Sequence, residues 1–305
     1  MKKASISLLS ILLYYSSLSQ TVSIIDKEGN AVSYATIEVP KRSIAFFAGI
    51  DGKTNLQTSG IAENDTLTVS AIGFNSRKIA VKRISDTIIV ERQIKELQEV
   101  FVYNGEWKEE NWGSKKNRGL FGFGCTWSLN GPGSQIGRII KPVDEKKKPA
   151  FIYKISFYTE HAKDTRSPVR LRIYAIDEKE VPGKDILQEN LIEEVDKNRG
   201  WLTFDLTGNE IRIPEQGLIV AAEYFDTDEK NWYTGESTYI DSTGKKKKMS
   251  YKHYGGSFAT NDETSQGATL MRFNGYWLIP SKSGRHPECE NLVIRVWVKY
   301  PEAKN

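Results

Sequence analysis

Three histidines, His161, His253 and His286, are the only imidazoles in the chain, and none has a second histidine or a glutamate at metal-ligand spacing. A zinc peptidase needs such a pair one helical turn apart, as in His-Glu-x-x-His, so that chemistry has no residues here. No Gly-x-Ser-x-Gly elbow occurs, and Gly131-Pro132-Gly133-Ser134-Gln135-Ile136-Gly137 fits neither the phosphate-loop nor the dinucleotide spacing; it reads as a turn. Glycoside hydrolysis asks for two carboxyl groups flanking the bond, and Glu160, Asp164, Glu223, Asp226 and Asp228 could supply them. With 39 acids in the chain, that choice has no specificity. Asp226, Asp228 and Glu229 offer hard oxygen ligands for calcium but lack the glycine and glutamate spacing of an EF-hand, and a solvated turn is the simpler reading. No catalytic centre, metal or cofactor is expected, and a polysaccharide-active hydrolase is the alternative reading.

What remains is recognition. Trp232-Tyr233, Tyr239, Tyr251, Tyr254 and Tyr276-Trp277 place flat rings among polar residues, and such rings stack on sugar faces or bury area against a protein at low entropic cost. Trp232 and Tyr233 are the candidate ligand-binding residues because Asp228 to Asn231 beside them are so polar; the competing reading makes the set core. Two cysteines, Cys125 and Cys289, are the candidates for one disulfide in an oxidising compartment, with two separate buried thiols as the alternative.

The segments that must position these residues begin with a leader. Lys2 and Lys3 precede an apolar stretch from Ile6 to Tyr15 and then Ser17-Leu18-Ser19-Gln20, the order of a charged region, an apolar region and a small-x-small cleavage site. The apolar run is about half the roughly 20 residues a membrane-spanning helix needs, so residues 1–19 read as a cleaved signal peptide. The mature chain is then expected outside the cytoplasm, in periplasm, at the surface or in the medium, with no transmembrane segment. Loss of two lysines with the leader lowers the formal charge from +4 to +2. The lysines at 146–148 and 245–248 read as solvated loops, and without a basic stripe of interleaved aromatics no nucleic-acid partner is expected.

Short runs rich in Val, Ile, Thr and Phe, at Thr21–Ile25, Tyr34–Val39, Leu67–Ile72 and Thr87–Glu91, are separated by turn residues such as Asp51-Gly52 and Gly73, predicting a β-sandwich over 20–103. Residues 104–120 carry charge and three glycines and read as a linker, in which Trp107 and Trp112 either pack on a domain or form exposed ligand platforms. From 121 to 305 alternation resumes. In Pro168 to Ile176, Val169, Leu171, Ile173 and Ala175 share one face while Arg170, Arg172 and Tyr174 share a wet one. Only Asp185 to Val195 has the character of a short helix. The whole is predicted all-β, with a Greek-key sandwich followed by a larger jelly-roll-like one.

Three stretches carry a resemblance: Val22 to Gly29 running on to Ala35-Thr36-Ile37, then Asp65-Thr66-Leu67-Thr68-Val69-Ser70-Ala71-Ile72-Gly73-Phe74, and finally Leu97-Gln98-Glu99-Val100-Phe101-Val102. Together they resemble the carboxypeptidase-regulatory-like domain, a transthyretin-like sandwich common in exported proteins of Bacteroidetes-type bacteria. The resemblance implies fold, export and a non-catalytic accessory role. Val32 stands about where that family has a proline. The strands Leu171–Tyr174 and Gly200–Leu206 look like jelly-roll domains of bacterial surface proteins, a class that includes many carbohydrate-binding modules, which is an analogy of fold only. The chain is therefore expected to be a non-catalytic envelope protein that binds a glycan or a protein partner.

Overall fold

The computed structural model describes residues 19–302 apart from 43, 58–60, 95–100, 102, 118–124, 129–132, 143, 145–148, 161–166, 178–179, 181, 196–198, 226–230, 264–265, 274–275 and 280–290. The expected leader up to residue 18 lies outside the described residues, as do Asp164, Asp226, Asp228, Glu229, Cys289, His161 and His286. The chain is all-β and divides into two compact units, Met1–Gln93 and Ile94–Asn305.

In the first unit β1 (Ser19–Ile25) lies between β4 (Lys53–Gln57), antiparallel to it, and β7 (Thr87–Ile89), parallel to it. A second, antiparallel sheet runs β3 (Ile44–Phe47), β2 (Thr36–Val39), β5 (Thr66–Ser70), β6 (Arg77–Ala80). The chain crosses between sheets after β1, β3, β4 and β6, giving the expected Greek-key sandwich. Period-two alternation turns Val22, Ile24, Ile37, Val39, Leu67 and Val69 inward, where they are wholly buried. Val32 joins this core, and its backbone N–H donates to the Ile24 carbonyl at 2.9 Å. A proline at this position has no such donor and would forfeit the bond.

The second unit is a double sheet. The larger sheet is built on β11 (Phe151–Glu160), flanked on one side by β15 (Gly200–Asp205) and β16 (Ile211–Arg212) and on the other by β24 (Ile294–Pro301), which pairs in turn with β8 (Trp107–Gly113). Beyond the start of β24, β11 meets β20 (Ser257–Asn261), itself paired with β9 (Cys125–Ser128) and β23 (Asn291–Leu292). Thr260 of β20 is the register partner of both Cys125 and Leu292, so β20 stands between β9 and the short strand that leads into β24. The facing sheet comprises β10 (Gln135–Ile140), β12 (Ser167–Ile176), β13 (Pro182–Asp185), β14 (Ile192–Val195), β17 (Leu218–Tyr224), β21 (Thr269–Phe273) and β22 (Tyr276–Leu278). Tyr224 of one sheet and Phe258 of the other pack with ring centroids 5.6 Å apart across the shared core. Arg138 braces the two: its wholly buried guanidinium donates to Ser114 Oγ at 3.2 Å and to the carbonyls of Leu292, Glu263 and Gly267 at 3.2, 2.6 and 3.2 Å. Burial lowers its pKa to about 10, which still leaves it charged at neutral pH.

Three sequence expectations are corrected. Residues 107–113, expected in a linker, form β8, hydrogen-bonded to β24 along its whole length, and the division between units falls at 93/94. The segment Asp185–Val195 holds no helix but the end of β13, a turn and β14. Lys246–Lys248 are not loop residues: they open β19 (Lys246–Tyr254), which pairs only with β18 (Trp232–Ile240) among the described strands.

Candidate functional site

On β24, Ile294, Val296 and Val298 are wholly buried, so alternation turns Arg295, Trp297 and Lys299 to the opposite, outer face of the sheet. Register brings neighbours of the other chemical type beside each. Lys299 lies 5.5 Å from the ring centroid of Trp107 on β8, Lys154 on β11 stands 4.4 Å over Trp297, and Arg295 stands 4.1 Å over Trp201 on β15. Such cation–ring contacts contribute about 0.5–1 kcal/mol each at exposed sites, and here they engage three tryptophans of the sheet. Tyr158 adds an edge contact to Trp201 at 5.1 Å.

At one end of this face the rings of Phe101, Tyr103, Trp107 and Phe151 form a cluster with centroids 5.6 to 6.2 Å apart. Phe101 is 39% exposed and Trp107 36%, in a cluster whose other rings are more covered. Polar groups fix its rim: Tyr103 donates to the Glu302 carbonyl at 2.8 Å, Tyr153 to Glu109 at 2.8 Å, and Lys299 to Glu210 at 2.8 Å. Burial and the Glu109 carboxylate push the Tyr153 hydroxyl up to about 12, so it stays a neutral donor. Rings bordered by the Glu109 and Glu210 carboxylates suit recognition of a ligand with apolar faces and hydroxyl edges.

The facing sheet overturns a further reading. The side of β12 carrying Arg170, Arg172 and Tyr174 is not wet: Arg170 and Glu223 are each 1% exposed. Arg170 Nε donates to Glu223 at 2.9 Å, Arg172 donates to Glu223 at 3.0 Å and to Asp185 at 2.5 Å, and Tyr174 donates to Gln135 at 2.8 Å while Trp277 packs on its ring at 5.4 Å. Burial pushes the Glu223 carboxyl up, but the two guanidinium groups outweigh it and hold the pKa at about 2. Glu223 therefore cannot deliver a proton near neutral pH, and Glu160 is engaged by Arg199 at 2.6 Å. Two of the five acids considered for glycoside hydrolysis are thus committed to ion pairs. Among the described residues no group of three His, Cys, Asp or Glu side chains could hold a metal ion. A cleft of about 150 Å³ lined by Leu187, Glu189, Leu191, Asn209 and Glu210 is smaller than the roughly 300 Å³ at which small-molecule sites begin.

Trp232, a sequence candidate, is half-buried, its ring edge-on to the buried Tyr254 at 5.2 Å, and Tyr254 contacts Tyr224 at 5.7 Å. Tyr254 thus anchors the β18–β19 ribbon to the sandwich, with Trp232 packed on it. Tyr233 occupies the next register position, opposite His253; both side chains lie outside the described residues. Of the two tryptophans in 104–120, Trp112 is core and Trp107 belongs to the exposed cluster. Trp201 and Trp297 are additions of the fold to the site; the signal for Trp297 in the sequence is the alternation Arg295-Val296-Trp297-Val298-Lys299, which marks cations and a tryptophan on one strand face.

No protein-family model and no curated protein matches the chain. Among solved structures, that of the infectious bursal disease virus Gx strain aligns with a TM-score of 0.24 and 10% identity over 89% of this chain and 57% of that one. A T13 particle of the same virus aligns with a TM-score of 0.26 and 10% identity over 94% and 58%. The chain spans less than two thirds of either, and likeness at this level carries no argument.

Proposed function

We propose that the chain is a non-catalytic, exported protein of the bacterial envelope whose second unit binds a glycan across the outer face of its larger sheet. One observation carries the reading: in the Phe101–Tyr103–Trp107–Phe151 cluster, Trp107 and Phe151 are fixed on paired strands, and Phe101 and Trp107 are more than a third exposed. Flat rings meet the C–H faces of a sugar, and the exposed Glu109 on the same strand supplies an acceptor for its hydroxyls. Export rests on the charged, apolar and small-residue order of residues 1–19.

Calorimetric titration against a panel of envelope and plant-type oligosaccharides tests this. Trp107→Ala is expected to weaken the binding found by about tenfold or more, equivalent to about 1.4 kcal/mol, with the melting temperature nearly unchanged. Unchanged affinity in the variant, release of cleaved sugar, or capture of a protein ligand in place of every glycan would each overturn the reading.

A further inference from the structure

The β18–β19 ribbon has no role in the sheet-face site, and no residue of it belongs to that face. Nine register pairs, Trp232↔Tyr254 to Ile240↔Lys246, make it some 30 Å long at about 3.3 Å per residue, and neither strand pairs with any other described strand. A two-stranded hairpin is marginal in water, yet both ends of this one are secured. At the base Tyr254 and Asn231 are wholly buried, and the Gly255 N–H donates to the Asn231 carbonyl at 2.9 Å. At the tip Asp241 Oδ1 accepts from Thr243 N, Thr243 Oγ1 and Lys245 N at 2.8, 2.6 and 3.1 Å, and Gly244 takes the positive φ of 80° that closes the turn.

Between these anchors the ribbon carries Lys245, Lys246, Lys247, Lys248 and Lys252 against Glu236 and Asp241, a net charge of +3 where the whole chain has +4. Lys247 pairs with Asp241 at 3.0 Å and Lys248 with Glu236 at 3.4 Å, whereas Lys246 and Lys252 have no ion pair among the described residues. Alternation puts Lys246, Lys248 and Lys252 on one face with Thr234, Thr238 and Ser250, and gives the other face the positions of Tyr233, Tyr239 and Tyr251.

We propose that this ribbon is a second binding element, for an acidic polysaccharide. Lys246 and Lys248 stand about 7 Å apart and Lys248 and Lys252 about 13 Å apart, with Ser250 and its register partner Glu236 between, which matches a sparse anion carrying one carboxylate per sugar or two. Duplex nucleic acid presents a charge every ~1.7 Å and is met by denser cations without interspersed acids. Hydroxyls of the threonines and serine complement sugar hydroxyls.

Binding of the full chain to polygalacturonate, to neutral dextran, to phosphatidylglycerol vesicles and to duplex DNA is compared as salt is raised. Polygalacturonate is expected to bind and to weaken with salt. The triple variant Lys246→Ala, Lys248→Ala, Lys252→Ala should lose tenfold or more and reduce the log–log salt slope by up to about three, while the Lys→Arg triple retains binding. Lys27→Ala, which removes an exposed lysine of the first unit, should leave polygalacturonate binding intact, which separates the ribbon from general positive charge. Equal binding of dextran, wild-type affinity in the alanine triple, an arginine triple as weak as the alanine one, or tighter binding of vesicles or DNA would each overturn the proposal.

Discussion

Glu223 shows why residue identity alone misled. In sequence it was one of 39 acids; in the fold it lies between two arginines on a sheet face with almost no solvent. Period-two alternation correctly separated Val169, Leu171 and Ile173 from Arg170 and Arg172, but charge on one face is read as exposure unless the countercharges, distant in sequence at Asp185 and Glu223, are known to arrive. Because the pKa of Glu223 falls from 4.5 to about 2 on folding, its contribution to stability is complete above about pH 4.5 and is lost as pH drops through that value towards 2. Glu223→Gln should cost about 3–5 kcal/mol at neutral pH by leaving Arg170 and Arg172 under-compensated, and should remove close to one proton from the slope of unfolding free energy against pH between 4.5 and 2. Urea titrations at several pH values measure both. An unchanged slope would place the titrating group elsewhere.

At the scale of elements, edge strands and ribbons were the least legible. The strand β8 reads Trp-Lys-Glu-Glu-Asn-Trp-Gly, and edge strands carry charge to discourage pairing with other chains, so its composition imitates a linker. What made it a strand is non-local: Trp112 buried in the core and a partner, β24, nearly two hundred residues on, with Gly113 at φ 136° ending it where a Cβ would meet the Ile294 carbonyl. Lys246–Lys248 imitate a loop for the same compositional reason, although their partner strand, β18, lies next to them in sequence. Central strands such as β11, β12 and β17, with continuous or alternating apolar positions, were legible because burial of their side chains leaves a local pattern. Trypsin should accordingly spare the bond after Lys108, since a hydrogen-bonded strand cannot enter a protease cleft without unfolding, and Lys108 is also paired with Glu302. Early fragments beginning at Glu109 in a time course followed by mass spectrometry would show that β8 opens separately from its sheet.

Over the whole molecule, the all-β architecture was legible, while the boundary between units was placed too late. Composition marked 104–120, but Phe101 and Tyr103 already belong to the ring cluster of the second unit, and Val90 is the last wholly apolar residue of the first core. That core is closed on residues between Val22 and Val90: Val22, Ile24, Ile37, Leu56, Leu67, Val69 and Ile88 pack together from both sheets. A unit of about 70 residues buries only about 60% of the surface its unfolded form exposes, so stability of a few kcal/mol is the expectation. Residues 20–93 produced alone should fold and melt in a single cooperative transition, with a strand-type circular dichroism spectrum. Leu67→Ala in that fragment removes a wholly buried side chain, and the cost of about 2–5 kcal/mol should abolish most of the folded population. Ile50→Ala, a change at an exposed apolar position, should leave the transition within about 0.5 kcal/mol of the parent. A broad, non-cooperative melt of the parent fragment, with Leu67→Ala indistinguishable from it, would mean that the first core does not close on its own residues.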